Sequence, residues 1–297
     1  MQTETRVSGE GEWEIRRIVV IGAGTMGHGI AHVAAAAGYD VWLNDVSAAA
    51  IDAGLAKVAA NLQIGVQKGK LTHAAADATR ARLHGEPDLR VAASLADLVI
   101  EAAPENIALK RQIFQTVTET LPPYSLLASN TSSIPLRQLT DALPHADRFL
   151  GLHFFNPVHL QTLLEVVRAD TTSDAALQSA LTFAKQIGKE PIVVRDVAGF
   201  ASSRLGLALG LEAIRMLQEG VATAADIDKA MELGYRHPMG PLKLTDLVGL
   251  DVRLAIAETL AREIDPVRFA PPQLLRDLVA AGKLGKKSGE GFYRYEA

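Results

Sequence analysis

His153 and Glu165 are the residues of this chain whose types and settings best suit proton transfer. The imidazole sits in Gly151-Leu152-His153-Phe154-Phe155-Asn156-Pro157 and the carboxylate in Leu163-Leu164-Glu165-Val166-Val167, both strand-like runs. A carboxylate flanked by Leu164 and Val166 needs a partner, because an unpaired buried charge is costly. A histidine on an apolar strand can be no more than a satisfied core residue. If the two meet, however, His153 becomes a general base and Glu165 the group that orients it. Further clusters carry polar chemistry: Glu101-Ala102-Ala103-Pro104-Glu105-Asn106 ahead of Lys110, Asn130-Thr131-Ser132-Ser133, Gly199-Phe200-Ala201-Ser202-Ser203-Arg204, and Gly285 to Tyr293 near the C-terminus. Asn130 to Ser133 closes an apolar run, where hydroxyl and amide groups can face a ligand, although the same residue types are the usual caps of a following helix.

Positioning these groups falls to the elements that start at Arg16. The run Ile18-Val19-Val20-Ile21 leads into Gly22-Ala23-Gly24-Thr25-Met26-Gly27 and then a small-residue helix, His28 to Ala37. Gly22 permits the turn off the strand, Gly24 lets backbone approach a pyrophosphate, and Gly27 allows close helix packing, with Thr25 and Met26 completing the cradle. Phosphates would lie at the helix N-terminus, where N–H groups and the dipole favour an anion. Val41-Trp42-Leu43 then ends at Asn44-Asp45, placing a carboxylate about 20 residues on, at the ribose position of the dinucleotide fingerprint. Asp45 would repel a 2′-phosphate, and no Arg or Lys follows before Lys57, so NAD is expected rather than NADP.

The bulk properties narrow the class. The 297 residues, 48% apolar, suffice for two cores, and 30 basic against 34 acidic residues give a net charge of −4. No basic run points to nucleic acid or an anionic membrane. Without cysteine there is no disulfide, thiolate metal site or Cys nucleophile, and no metal is expected. The N-terminus, with Glu4, Glu10 and Glu12, lacks the apolar stretch of a secretory signal, and the small-apolar stretch Leu205 to Ile214, broken by Glu212, is too short to span a bilayer. A cytoplasmic protein is expected.

Along the chain, residues 1–14 read as a flexible tail and Ser47 to Leu83 as a helical hairpin around Gly65 and Gly69, with Lys57, Lys68 and Lys70 on a solvated face. Strand-like runs at Leu89 to Ala92, Leu98 to Ile100, Ser125 to Ala128, Phe149 to His153, Leu163 to Val167 and Pro191 to Val194 alternate with helical stretches such as Ile107 to Leu121 and Asp174 to Ile187. This predicts an α/β fold with a doubly wound Rossmann-type sheet over residues 15–196. From residue 197 to 297 the pattern is helical, including Phe200 to Gln218, Ala224 to Leu233 and Pro241 to Ile264, which predicts an all-helical C-terminal domain for substrate binding and dimerisation.

The cradle, Glu101 to Asn106, Asn130 to Ser133, His153 to Pro157, Glu165, His237-Pro238-Met239-Gly240-Pro241 and the Gly285 to Tyr293 segment stand in the order found in L-3-hydroxyacyl-CoA dehydrogenases, and the resemblance runs from about residue 15 to the end. It implies NAD as oxidant, a 3-hydroxyacyl-CoA substrate held between a Rossmann domain and a helical domain, and a homodimer. By position, His153 resembles the catalytic base, Glu165 its orienting partner, Ser132 the hydroxyl that binds the substrate oxygen, and Asn156 a group beside the nicotinamide. Glu105, Lys110, Asn130 and Lys287 resemble cofactor contacts. Ser203 stands where the family commonly has Asn, a shorter donor at a substrate-binding position. Two other readings share these residues: a dehydrogenase of a non-CoA hydroxy substrate, of the L-gulonate or carnitine type, and a catalytically silent NAD-binding protein, as among lens crystallins.

Overall fold

The computed structural model describes residues 13–132, 134–141 and 143–296. The expected tail therefore lies outside the described residues up to position 12, as does Ser133, whereas Trp13 is tied in through its N–H to Ser179 Oγ at 2.8 Å. The chain divides into two compact units, Met1–Asp196 and Val197–Ala297.

In the first unit the elements are β1 (Arg17–Ile21), α1 (Gly27–Ala36), β2 (Asp40–Asn44), α2 (Ala48–Gln67), α3 (His73–Ala81), β3 (Leu83–Gly85), α4 (Leu89–Ser94), β4 (Leu98–Glu101), α5 (Ile107–Thr118), β5 (Leu126–Ser129), α6 (Arg137–Thr140), β6 (Phe149–Phe154), β7 (Leu163–Arg168), α7 (Asp174–Gln186) and β8 (Glu190–Arg195). The strands form one sheet ordered β3-β2-β1-β4-β5-β6-β7-β8, parallel throughout except where β6 meets β7. This is the expected doubly wound sheet. Its strands are apolar because both faces are covered: Val20, Ile100, Leu126 and Leu150 share a core with Ile30 and Ala34 of α1 and Phe183 of α7. Register aligns Ile21 with Asn44 and Glu101, Glu101 with Ser129, and Ser129 with Gly151. The carboxyl ends of five strands thus form one row, and chain leaving that row carries the candidate groups.

Two expectations are corrected. Leu89 to Ala92, read as a strand, is the start of α4, because the Asp88 side chain accepts from the N–H groups of Arg90 and Val91 and caps a helix there. The edge beside β2 goes instead to β3, whose three residues are too short to show a period. In the second unit, α8 (Ser202–Gln218) and α9 (Ala224–Gly234) match the helical pattern, but Pro241 to Ile264 is two helices, α10 (Pro241–Val248) and α11 (Leu250–Glu263), followed by α12 (Gln273–Ala280). Gly249 separates them at φ +105°, a conformation other residues rarely adopt. A helical unit follows the sheet, as expected. Among the described residues no helix is long and apolar enough to cross a membrane.

Candidate active site

Each candidate side chain is set by a strand end. At β1, the turn needs glycine for two reasons: Gly22 has φ +99°, and a β-carbon on Gly27 would lie 1.6 Å from Gly22 O. A β-carbon on Gly24 would meet nothing within 4 Å, so the middle of the turn is open backbone. Asp45, just past β2, braces this turn: its Oδ2 accepts from Ala23 N at 2.6 Å and its Oδ1 from Val46 N at 2.7 Å. The bare glycine, the helix start at Gly27 and the carboxylate across from them fit a dinucleotide's pyrophosphate and ribose. Thr25 is exposed and Met26 half-buried at the same turn.

At the end of β4, Glu101 is wholly buried and paired with Lys110 of α5, Nζ lying 2.7 and 2.9 Å from its two oxygens. Ala103 N and Ser129 Oγ also donate to that carboxylate, each at 2.6 Å. Lys110 is only 1% exposed, and its ammonium also approaches Ala103 O and Glu105 Oε2, both at 3.3 Å. Glu105 in turn accepts from Thr131 Oγ1 at 2.6 Å and from Ser132 N at 3.2 Å. A hydrogen-bonded chain thus runs from the sheet interior through Lys110 to the backbone of Ser132. Thr131 was not singled out alone from sequence, although it lies in the flagged cluster; its Oγ1 also accepts from Ile134 N at 2.9 Å, so part of that cluster caps its own turn.

At β6 the strand runs past the row. Asn130 Oδ1 accepts from Phe154 N at 2.9 Å, fixing the end of β6 to the end of β5. His153 lies directly opposite Glu165 in the antiparallel ladder of β6 and β7, where facing side chains are neighbours. His153 Nδ1 and Glu165 Oε2 are 2.7 Å apart, with His153 6% exposed and Glu165 fully buried. A carboxylate can only accept, so this bond puts the proton on Nδ1 and leaves Nε2 as the nitrogen able to take another. Met26, Ala102, Ala103, Glu105, Asn130, Ser132, His153 and Phe154 line one cleft of about 260 Å³. Base, hydroxyl, amide and glycine turn are thereby gathered at one place. Asn156 is exposed in the loop after β6, a loop held by Lys189, whose buried ammonium donates to Val158 O and Gln161 O at 2.5 and 2.6 Å.

A second cavity, about 500 Å³, lies between α1, α2 and that loop, and Lys68 and Lys70 line it together with His32 and His159. Burial first, and then the neighbouring His159, His28 and Lys189, lower the His32 pKa to about 4.

The comparisons with known proteins agree with this geometry. Residues 17–197 match the 3-hydroxyacyl-CoA dehydrogenase NAD binding domain, and residues 199–295 match the C-terminal domain of the same enzymes. The chain belongs to the 3-hydroxyacyl-CoA dehydrogenase family. It is 43% identical over 283 residues to the probable 3-hydroxybutyryl-CoA dehydrogenase of Bacillus subtilis, covering 95% of this chain and 98% of that protein. To the mitochondrial hydroxyacyl-coenzyme A dehydrogenase of Rattus norvegicus it is 40% identical over 291 residues, with 95% and 92% covered. The solved (S)-3-hydroxybutyryl-CoA dehydrogenase of Ralstonia eutropha superposes with a TM-score of 0.93 at 41% identity, covering 96% of this chain and all of that one.

Two of the family's candidate positions lie in the second unit. Ser203 is in the first turn of α8. Lys287 Nζ sits 2.6 Å from both oxygens of Asp251, and these hydrogen bonds hold the Asp251 carboxyl below the usual carboxylate range. Lys287 also lies over the break between α10 and α11, where a β-carbon on Gly249 would be 3.2 Å from its Nζ. The family's C-terminal signature packs on two carboxylates of this unit. Asp246 accepts from Phe292 N, Tyr293 N and Tyr295 Oη, each at 2.9 Å, and Asp228 accepts from Tyr293 Oη at 2.6 Å.

Proposed function

We propose that this chain oxidises the C3 hydroxyl of a 3-hydroxyacyl-CoA reversibly to the 3-oxoacyl-CoA, with His153 as the base. The observation that carries this reading is the 2.7 Å contact of His153 with the buried Glu165 at a cleft shared with Ser132, Asn130 and the glycine turn. His153 Nε2 takes the hydroxyl proton as the C–H bond breaks, and Glu165 holds the ring and stabilises the imidazolium that forms. Ser132 keeps the substrate oxygen aimed at His153. NAD, when bound at Gly22 to Gly27 and Asp45, supplies the hydride acceptor. Asn130, Asn156, Glu105 and Lys287 contribute to holding it, and Lys110, buried beneath them, acts through Glu105. In the reverse direction the imidazolium returns the proton to the developing alkoxide.

A CoA thioester also suits the cationic wall of the second cavity, where Lys68 and Lys70 can meet phosphates. L-gulonate and carnitine, which lack those phosphates, are not favoured, and the intact His153–Glu165 pair argues against a silent protein. The assembly we infer is a homodimer through the second unit, supported by the exposed apolar side chains Leu205, Leu233 and Leu247. Its expected setting is cytoplasmic fatty-acid metabolism, including β-oxidation. The test follows nicotinamide absorbance with acetoacetyl-CoA and NADH, and with gulonate or carnitine and NAD. Turnover with acetoacetyl-CoA is expected; turnover confined to the other two would overturn the reading.

A further inference from the structure

Arg253 occupies a place in α11 where an apolar residue belongs. The buried positions of that helix are Leu250, Arg253, Ala257 and Leu260, a stripe at helical spacing that packs into the second unit's core. Arg253 is 6% exposed. Its Nε is buried without a hydrogen-bond partner, and among the described residues no carboxylate pairs with it. The acids nearest in sequence on its own helix are committed elsewhere, Asp251 to Lys287 and Glu258 to Arg276 at 2.7 Å. Burial pushes the guanidinium pKa below its ordinary value, and no neighbouring acid counteracts that shift. A buried, uncompensated cation is strongly unfavourable, so a fold that keeps one has a use for it.

The guanidinium lies on the α8 backbone. A β-carbon on Gly206 would stand 3.6 and 3.9 Å from its two terminal nitrogens. Gly206 is three residues beyond Ser203, so the two share a side of the helix. Gly210, one turn further, faces Thr245 of α10, where a β-carbon would lie 3.2 Å from its Oγ1. Ser203, Gly206 and Gly210 therefore make a stripe bare of bulk, with a desolvated cation laid across it. The other arginine nearby, Arg204, lies over the Phe269 ring at 5.8 Å.

We propose that Arg253 is a specificity residue that receives a carboxylate at the far end of the acyl chain, so that the preferred substrate class is the 3-hydroxydicarboxylyl-CoA thioesters. This rests on the proposed function, which puts the substrate at Ser203. The shorter side chain there and the missing side chain at Gly206 leave room for the acyl chain, and the planar guanidinium offers paired donors matched to a carboxylate. The terminal carboxylate would supply the partner Arg253 lacks.

The experiment compares 3-hydroxyadipyl-CoA with 3-hydroxyhexanoyl-CoA, chains of equal carbon number that differ in a terminal carboxylate against a methyl. The wild-type protein is expected to favour the dicarboxylyl substrate in kcat/KM by about 10- to 100-fold, the range of a charge-assisted hydrogen bond to a desolvated partner. Arg253→Leu should erase that ratio and Arg253→Lys should keep part of it, with circular dichroism confirming that both variants fold. If 3-hydroxyhexanoyl-CoA is oxidised as well as its dicarboxylyl counterpart, or if Arg253→Leu leaves the ratio alone, the inference fails while the dehydrogenase reading stands. An unchanged ratio with an altered mass in light scattering would assign the guanidinium to a contact between copies instead. If neither thioester is oxidised, the proposed function fails. Equilibrium binding of adipyl-CoA and hexanoyl-CoA then decides: tighter adipyl-CoA binding lost in Arg253→Leu supports the inference, and equal binding overturns it.

Discussion

In the first unit the fully buried carboxylates Glu101 and Glu165 each face a side chain that can bear positive charge, Lys110 and His153. In the second unit Asp228 and Asp246 are just as buried, yet their partners are main-chain N–H groups and phenols: Leu242 N, Lys243 N and Tyr293 Oη on one, Phe292 N, Tyr293 N and Tyr295 Oη on the other. The same functional group therefore does different work according to what answers it. A carboxylate bound by backbone amides is an anchor, and here it clamps the C-terminal segment; at Gly291 the fit leaves only 2.2 Å between a β-carbon and Asp246 Oδ1. A carboxylate facing an imidazole can share in moving a proton. Glu101 stands between, charged like a reactive group and enclosed like an anchor.

The comparison breaks first at His153. His153→Gln should lower kcat by about 10² to 10⁴-fold, the usual value of a positioned general base, with NAD affinity little changed. Steady-state turnover and a fluorescence titration with NAD check this, and near wild-type turnover would return His153 to the role of a core residue. Glu165→Gln, which keeps shape and removes charge, should lower kcat by less than that and likewise spare NAD binding.

That pair was legible in the sequence because two strands advertise their burial and one of them carries a carboxylate that burial cannot tolerate alone. The glycine turn and Asp45 were legible for a similar reason, since spacing along one strand-helix-strand unit is short-range. What sequence leaves hidden is set by tertiary packing. Leu89 to Ala92 has strand-like residues, and the cap from Asp88 decides for helix. Arg253 could have been noticed as a charge at helical spacing among Leu250, Ala257 and Leu260, but only packing against Gly206 gives it a meaning. Lys110, expected on the cofactor, turns out to be enclosed by Glu101 and Glu105, because nothing in a helix pattern says how far a lysine is drawn inward.

Smaller effects sharpen the distinction between anchors and reactive groups. Lys110→Met strands a buried carboxylate and should cost about 3–5 kcal/mol in urea unfolding, whereas adding Glu101→Gln to it should recover part of the loss. A double variant no more stable than Lys110→Met would show that Glu101 needs no cation. Asp246→Asn keeps one oxygen acceptor and should cost less, about 1–3 kcal/mol, without changing turnover per folded molecule. A kcat that falls with it would make the anchor part of the machinery.

The least effect concerns alkali. Burial and Asp228 push the Tyr293 phenol above its ordinary value of 10.0, and burial and Asp246 do the same to Tyr295. The folded chain keeps these protons at pH values where the unfolded chain releases them. Their stabilisation is therefore complete below about pH 10 and declines as pH rises beyond it. Thermal unfolding followed across that range should show the decline, and Tyr293→Phe should flatten it; an identical slope in the variant would remove the tyrosine from the account.

His153 and Glu165 are held together by a ladder and not by a loop. In the antiparallel pairing of β6 and β7 they are direct partners, and slipping that register by one residue would send the two side chains to opposite faces. Local loosening of surface segments, which opens many proteins well before they melt, leaves such a pair untouched. Catalytic competence in this unit is thus coupled to its most protected strands: heat should abolish activity along with the sheet itself, with little warning at lower temperatures.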